Sequence, residues 1–337
     1  MQIKSSIKDY TVSFSEIPIL NSNNGEFYII DSFFEESKKL NLAGGTKYFY
    51  VEAKESNKEY RSLAAVIEWL ITNGFRRENT IIAIGGGVIQ DITSFIASIL
   101  YRGVDWKFYP TTLLAQGDSC IGSKTSINFE EYKNQIGGFY PPSEVIIDVS
   151  FLESLPIQQI KSGIGEMSHY FLLDSLESFL LLKEFQLGMD LKPLIKRSLS
   201  IKKEMVEIDE FDKGPRVIFN YGHSFGHAIE YATNYSIPHG IAVSRGMDIA
   251  NFFSTELGLL SIDEYKEMES AISPTFIECN LKDVDPLDIL EGLKKDKKNI
   301  GNKIGLILTK GIGKMHLQQV TQLSALEILS KYFQRVN

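Results

Sequence analysis

Three of the chain's five histidines stand close together: His223 and His227 in NYGHSFGHAIE, and His239 in IPHGIAVSRGM. An i, i+4 interval puts His223 and His227 on one face of a helix, and His239 opens the next helical stretch. Glu166 in GIGEMSHY can complete an N/N/O donor set with one position left open, the pattern of a divalent-metal site. The same residues can equally be core or capping histidines beside a surface acid, because no H-E-x-x-H string is present. A second constellation is the glycine run GGGVIQD at 85–91, directly after Ile81-Ile82-Ala83-Ile84. Glycines let a backbone approach a ligand closely and present N–H groups to a pyrophosphate at a helix start. Gln90 stands where the fingerprint G-x-G-x-x-G places its last glycine, so a plain strand-to-helix turn stays open as the alternative. Arg102, Lys124, Lys202, Arg216, Lys297 and Lys298 supply the third ingredient. Singly they are ordinary solvated charges; converging, they are the donors that a small phosphorylated acid needs.

The elements that must carry these residues follow from periodicity. Up to about residue 150, apolar runs that read as strands (EFYIID, KYFYVE, TIIAIGGG, WKFYPTT, EVIIDV) alternate with helix-period stretches such as YRSLAAVIEWLITNGF and DITSFIASILYRG. That alternation predicts a parallel sheet covered by helices. Beyond residue 151 the strand signal fades and amphipathic helices dominate, in QQIKSGIGEMSHYFLL, LKPLIKRSLSIKKEMVEI, GHSFGHAIEYAT and HGIAVSRGMDIANFFSTEL. The expected architecture is therefore α/β over residues 1–150 and mostly α-helical over 151–337, with a tight junction near SEVIIDVSFLESLP forming one wall of a cleft. Composition agrees with an ordinary globular chain: 337 residues, 43% hydrophobic, 23% charged, net charge −8. No basic run suits a nucleic-acid backbone. Neither an export signal nor about 18 consecutive apolar residues is present, which predicts a cytoplasmic protein that does not span a membrane. Cys120 and Cys279 read as buried thiols.

Taken in order, EAKESNK, GGGVIQD, YRGVDWKFYPTTLLAQGDSCIGSKTSIN, KNQIGGFYPP, SGIGEMSHY, RVIFNYGHSFGHAIE, PHGIAVSRGM and DKKNIGNKIGLIL resemble the sugar phosphate cyclases, and among them the 3-dehydroquinate synthases, over nearly the whole chain. The resemblance implies a Rossmann-like NAD-binding domain followed by a helical metal- and substrate-binding domain. It implies NAD contacts from Asp31, Glu55, Lys58, Gly86, Gly87, Asp91, Thr111, Thr112 and Lys133, and a divalent ion, zinc or cobalt, on Glu166, His223 and His239. It implies catalytic roles for Asp118, Lys124, Glu166, His169, Lys202 and His227. Arg102, Asn134, Arg216, Asn220, Lys297 and Lys298 would bind substrate, with Arg102 reaching the neighbouring subunit's site of a homodimer. The implied reaction converts 3-deoxy-arabino-heptulosonate 7-phosphate to 3-dehydroquinate and phosphate, a shikimate-pathway step. It runs by transient oxidation with NAD, phosphate elimination, re-reduction and an intramolecular aldol closure.

The chain departs from the family pattern at several places. The helix that carries Glu166 ordinarily reads E-x-x-K, and here the fourth residue is His169, expected near the metal and the substrate ring because it lies three residues on from Glu166, with a histidine packed in the domain core as the alternative. Ser123 stands where glycine is usual, Gly117 and Cys120 alter the surroundings of Asp118, and NFEEYKN replaces a proline- and glycine-containing run. Two rival readings share the same features: a metal-dependent polyol or alcohol dehydrogenase, which would release NADH, and a nucleotide-binding relative without turnover.

Overall fold

The computed structural model describes residues 1–37, 39–130, 132–276, 279–296 and 298–336. The chain divides into two compact units, Met1–Leu155 with Lys202–Phe211, and Pro156–Ile201 with Asp212–Asn337.

In the first unit the strands are β1 (Gln2–Ile3), β2 (Tyr10–Phe14), β3 (Glu26–Asp31), β4 (Tyr48–Val51), β5 (Thr80–Gly85), β6 (Asp105–Pro110), β7 (Lys124–Phe129), β8 (Tyr132–Phe139) and β9 (Glu144–Ile147). Seven of them form one sheet in the order β1-β2-β9-β6-β5-β3-β4. Every neighbouring pair is parallel except β1 with β2. The interior strand β5 is buried at every position after Thr80, the reading of a strand covered on both faces. Helices α1 (Phe33–Ser37), α2 (Leu63–Thr72) and α3 (Gly87–Ile99) follow β3, β4 and β5 in the βα alternation that the apolar runs predict. Tyr101, Arg102 and Gly103, all at positive φ, stop the chain just past α3. The described residues of the departing segment, 128–130 and 132–134, lie at the tip of the separate β7–β8 antiparallel pair.

The second unit is built from α4 (Ile157–Asp174), α5 (Leu176–Glu184), most of α6 (Lys192–Ile208), α7 (His223–Ala232), α8 (His239–Glu256), α9 (Ile262–Phe276), α10 (Pro286–Lys294) and α11 (Gln322–Val336). The unit division falls within α6, so that Lys202 and the residues up to Phe211 belong with the sheet. One antiparallel hairpin, β10 (Lys303–Thr309) with β11 (Met315–Thr321), interrupts the helices, and no period-2 signal announced it. KIGLILT is buried at every position after Lys303, so its apolar residues do not alternate with polar ones. Among the described residues no helix is long and apolar enough to cross a membrane.

Candidate active site

In the second unit, Glu166 on α4 is 4% exposed and meets two imidazoles through its two oxygens. Its Oε1 lies 3.2 Å from His223 Nε2 and its Oε2 3.4 Å from His239 Nε2. Both histidines are the first residues of their helices, α7 and α8. Gly222, at φ +79°, turns the chain into α7 in a conformation that side chains rarely adopt. The approach of α8 to α4 depends on two further glycines. A Cβ on Gly240 would stand 1.8 Å from the Ser162 carbonyl oxygen, and one on Gly165 2.2 Å from that of Gly240.

The partners on the far side of each ring decide what these contacts mean. His223 Nδ1 is 3.2 Å from the Tyr221 carbonyl, and His239 Nδ1 is 3.2 Å from Glu230 Oε2. Those oxygens only accept, so each Nδ1 carries a proton; each Nε2 is turned to the Glu166 carboxylate, donating to it when the ring is protonated and offering a lone pair when a cation lies between them. Burial pushes the Glu166 carboxyl up, but His223, then His239 and His169, hold it well below the usual carboxylate range. Its Oε2 is buried without a hydrogen-bond donor. An ionised carboxylate facing two imidazole Nε2 atoms is a site for a cation, and the N/N/O donor set fits a divalent ion.

His227 stands one turn along α7. Its ring packs 5.8 Å from His223 and 5.6 Å from His239, the latter nearly parallel. It opens onto a pocket of about 750 Å³ lined also by Asn220, Tyr231, Lys295, Asp296 and Lys298. Desolvation on its inner side, with the neighbouring His223 and His239, lowers its pKa, while the ring itself is exposed at the pocket. Lys298 Nζ contacts Asp296 Oδ2 at 2.6 Å, and Ser224 donates to the same oxygen at 2.9 Å. Arg216 is buried on the short helical turn Pro215–Asn220. Lys297 lies outside the described residues. His169 is 1% exposed, with Nδ1 against the Glu166 carbonyl and its ring edge-on to His223 at 4.9 Å. Its ring is thus enclosed by its neighbours.

The first unit holds the other set. A Cβ on Gly85 would strike Ile89 at 2.4 Å and one on Gly86 would meet Thr112 at 2.9 Å, whereas one on Gly87 would meet nothing within 4 Å. Internal packing thus accounts for the first two glycines and leaves the third, at the start of α3, open to a dinucleotide phosphate. Around this turn, Thr111 N–H donates to the Gly85 carbonyl at 2.9 Å, and Asp31, raised by burial, ends β3. Lys58 is buried with Nζ 2.8 Å from Asp91 Oδ2, 2.9 Å from Asn134 Oδ1 and 3.6 Å from Glu55 Oε1. Asn134 therefore stands with the residues named for NAD. Lys133 and Lys124 are exposed on β8 and β7, and Arg102 is exposed at φ 66°. Lys202 Nζ donates to both Oδ1 and the carbonyl of Asp118, at 2.7 and 2.8 Å.

Residue spacing missed Glu230 and Tyr221, the groups that orient the two histidines. Glu230 offered one usable signal, lying three residues after His227 on the same helix. Ser123 explains its own departure. It sits at φ 63°, where glycine is at ease, and its hydroxyl donates to the buried Glu210 at 2.9 Å.

Residues 48–162 match the family described as 3-dehydroquinate synthase N-terminal, and residues 163–299 its C-terminal counterpart. The chain is 38% identical to the 3-dehydroquinate synthase of Dictyoglomus thermophilum, over 86% of this chain and 84% of that one. It is 36% identical to the bifunctional 3-dehydroquinate synthase/phosphatase of Fusobacterium nucleatum subsp. nucleatum over 98% of its own length, and spans 50% of that longer protein. Among solved structures it is similar to a 2-deoxy-scyllo-inosose synthase complexed with carbaglucose-6-phosphate, NAD+ and Co2+, with a TM-score of 0.84 at 25% identity, covering 98% of this chain and 99% of that one. A probable glycerol dehydrogenase from Sinorhizobium meliloti, at 12% identity and TM-score 0.58 over 94% of this chain and 93% of that one, shares the fold alone.

Proposed function

From the premise that the chain belongs to the 3-dehydroquinate synthase family, we propose that it is an NAD- and metal-dependent carbon–oxygen lyase. It converts 3-deoxy-arabino-heptulosonate 7-phosphate to 3-dehydroquinate and inorganic phosphate. The observation that carries this reading is the Glu166–His223–His239 convergence, which fits a divalent ion in a chain whose relatives bear that name. When bound, NAD supplies a hydride acceptor that is restored within the cycle, and the divalent ion supplies a Lewis acid.

The chain's own residues do the rest. Glu166, His223 and His239 hold the ion, and Gly86, Gly87, Asp31, Glu55, Lys58, Asp91, Thr111, Thr112 and Lys133 hold the dinucleotide. Arg216 recognises the substrate carboxylate, which a planar guanidinium can grip through two hydrogen bonds. Asp118 holds the Lys202 ammonium in place, and Lys124, Asn134, Asn220, Lys297 and Lys298 complete the anion-binding set. His227, at the pocket one turn along from His223, offers a ring nitrogen that can accept a proton from the substrate and return it. The enzyme works as a cytoplasmic homodimer, with Arg102 serving the partner's site.

Incubation with the heptulosonate phosphate, NAD and zinc or cobalt is expected to release phosphate and 3-dehydroquinate with no accumulation of NADH. Steady accumulation of NADH would transfer the chain to the dehydrogenases. Phosphate release from a neutral sugar phosphate alone would keep the cyclase chemistry and change the substrate, a reading favoured by His169 in place of the usual lysine.

A further inference from the structure

We infer that Gln90 is a positioning residue for the Asp118–Lys202 pair, clamping the turn that carries Asp118 onto the helix that begins at the glycine run. Gln90 lies in the first turn of α3, its backbone N–H bonded to the Gly86 carbonyl at 3.0 Å, and it is 6% exposed. Both ends of its amide are spent on one residue. Nε2 donates to the Ser119 carbonyl at 2.6 Å, and the Ser119 hydroxyl donates to Oε1 at 2.6 Å. This closed pair fixes the amide's orientation and points its side chain at the 115–119 turn.

That turn needs an external hold. Ala115–Ser119 is a single π-type turn closed by Cys120 N–H on the Ala115 carbonyl at 3.1 Å, a geometry that is rare and occurs mostly as isolated turns. Asp118 presents two acceptors to Lys202 Nζ, one on its side chain and one on its main chain. Rotation of the 118–119 peptide would move the main-chain acceptor directly and shift the carboxylate with it. Gln90 holds the Ser119 hydroxyl and the carbonyl of the next peptide, which fixes the residue that follows that linkage, so the glutamine sets where the Lys202 ammonium is held. A glycine at position 90, which the dinucleotide fingerprint prefers, could not do this. The neighbouring Cys120 does not compete for the role, since burial pushes its thiol up to about 12 and keeps it protonated.

This inference rests on the proposed reading in which Asp118 and Lys202 serve the substrate. Its test therefore includes readouts that need no turnover. Gln90→Met, which keeps the length and removes both hydrogen bonds, Ser119→Ala, and the double variant are compared in the full-length enzyme. The measurements are kcat and KM, NAD affinity by fluorescence titration, thermal midpoint, and the rate of reductive methylation of Lys202 read by mass spectrometry. Gln90→Met is expected to lower kcat about tenfold, since small misplacements of reacting groups cost that much or more. NAD affinity should stay within about twofold, and Lys202 methylation should accelerate by about threefold or more in both single variants. The double variant should be no worse than Gln90→Met, because the two substitutions break one linkage. Should Gln90→Met fail to fold, Ser119→Ala carries the test by itself. Unchanged Lys202 reactivity overturns the inference, whether NAD binding weakens, which would make Gln90 a cofactor residue, or kcat falls in step with the thermal midpoint, which would make it packing. If the wild-type enzyme does not act on the heptulosonate phosphate, the function fails, while the Lys202 reactivity still decides the positioning role.

Discussion

Glu230 Oε2 and the Tyr221 carbonyl each fix which nitrogen of a histidine faces Glu166, and that choice is what makes the three residues a cation site. Glu230→Gln is expected to weaken metal affinity about 10- to 100-fold, the usual range when a carboxylate orienting a ligand histidine is lost. His227→Ala, which removes a pocket group that does not contact Glu166, should keep the metal and lose turnover. Metal content after dialysis against a graded chelator checks both, and equal loss in the two variants would assign the ion to the His227–Glu230–His239 group instead. The sequence allowed Glu166 and the histidines to be named, because their types and order carry the family likeness. It did not disclose Glu230 as their support, since its distance to His239 depends on the chain's return between α7 and α8. Asp91 shows a different residue-scale tension. Burial raises its carboxyl to about 6 even with Lys58 Nζ 2.8 Å away. An acid whose folded pKa is raised contributes stability that is fully present below the unfolded value near 3.8 and is lost as pH rises through about 6. The unfolding free energy of the wild type, referred to that of Asp91→Asn, should therefore fall by roughly 2–3 kcal/mol between pH 4 and 7. A flat difference across urea titrations in that range would show that Asp91 ionises without penalty. The retained cost suits a residue kept to hold Lys58 for a ligand.

At the scale of elements, the meeting of Glu166 with His239 is a consequence of how closely α8 approaches α4. Gly240→Ala would force a methyl to 1.8 Å from the Ser162 carbonyl oxygen, so the two helices must part or the variant must unfold. The expected result is a fall in thermal midpoint together with loss of bound metal, larger than for a surface glycine such as Gly44, whose Cβ would meet nothing within 4 Å. A folded, metal-replete Gly240→Ala would mean that the helices are not held at this distance. The parallel strands were legible in the sequence because buried β-branched runs such as TIIAIG are bounded by turn residues. The β10–β11 hairpin was not: a short run such as KIGLILT, buried after its first residue, cannot be told from a buried helix segment by periodicity, and it stands among helical stretches instead of in a strand–helix alternation. The π-type turn at Ala115–Ser119 has no compositional signature at all, and its support shows only in hydrogen bonds, from Gln116 Nε2 to the Pro110 and Asp148 carbonyls and from Gln90 to Ser119.

For the molecule as a whole, the order of the chain and the order of the fold differ at one point. Residues 202–211 lie in sequence among helices of the second unit yet belong to the first. They supply it with more than covering surface. Glu210 accepts from Ser5 Oγ at 2.6 Å, Ser6 N–H at 2.8 Å and Ser123 Oγ at 2.9 Å, and Glu207 accepts from Lys4 N–H at 2.8 Å. Phe211 packs edge-on against Phe139 with ring centroids 5.0 Å apart, and Lys202 closes on Asp118. A fragment ending at Leu155 keeps every strand of the seven-stranded sheet but loses all of these partners. Ser123 would then hold its left-handed conformation without the hydrogen bond that offsets it, a strain of about 1–2 kcal/mol, and Asp118 would lose its cation. Each lost hydrogen bond to a carboxylate adds roughly 1.5–3 kcal/mol, so the summed loss approaches the 5–15 kcal/mol that holds a domain folded. Residues 1–155 expressed alone are expected to show a broad, non-cooperative urea transition, and the full chain a cooperative one. A fragment that unfolds cooperatively, with its side chains dispersed by NMR, would show that the returning segment only decorates a unit that is complete without it.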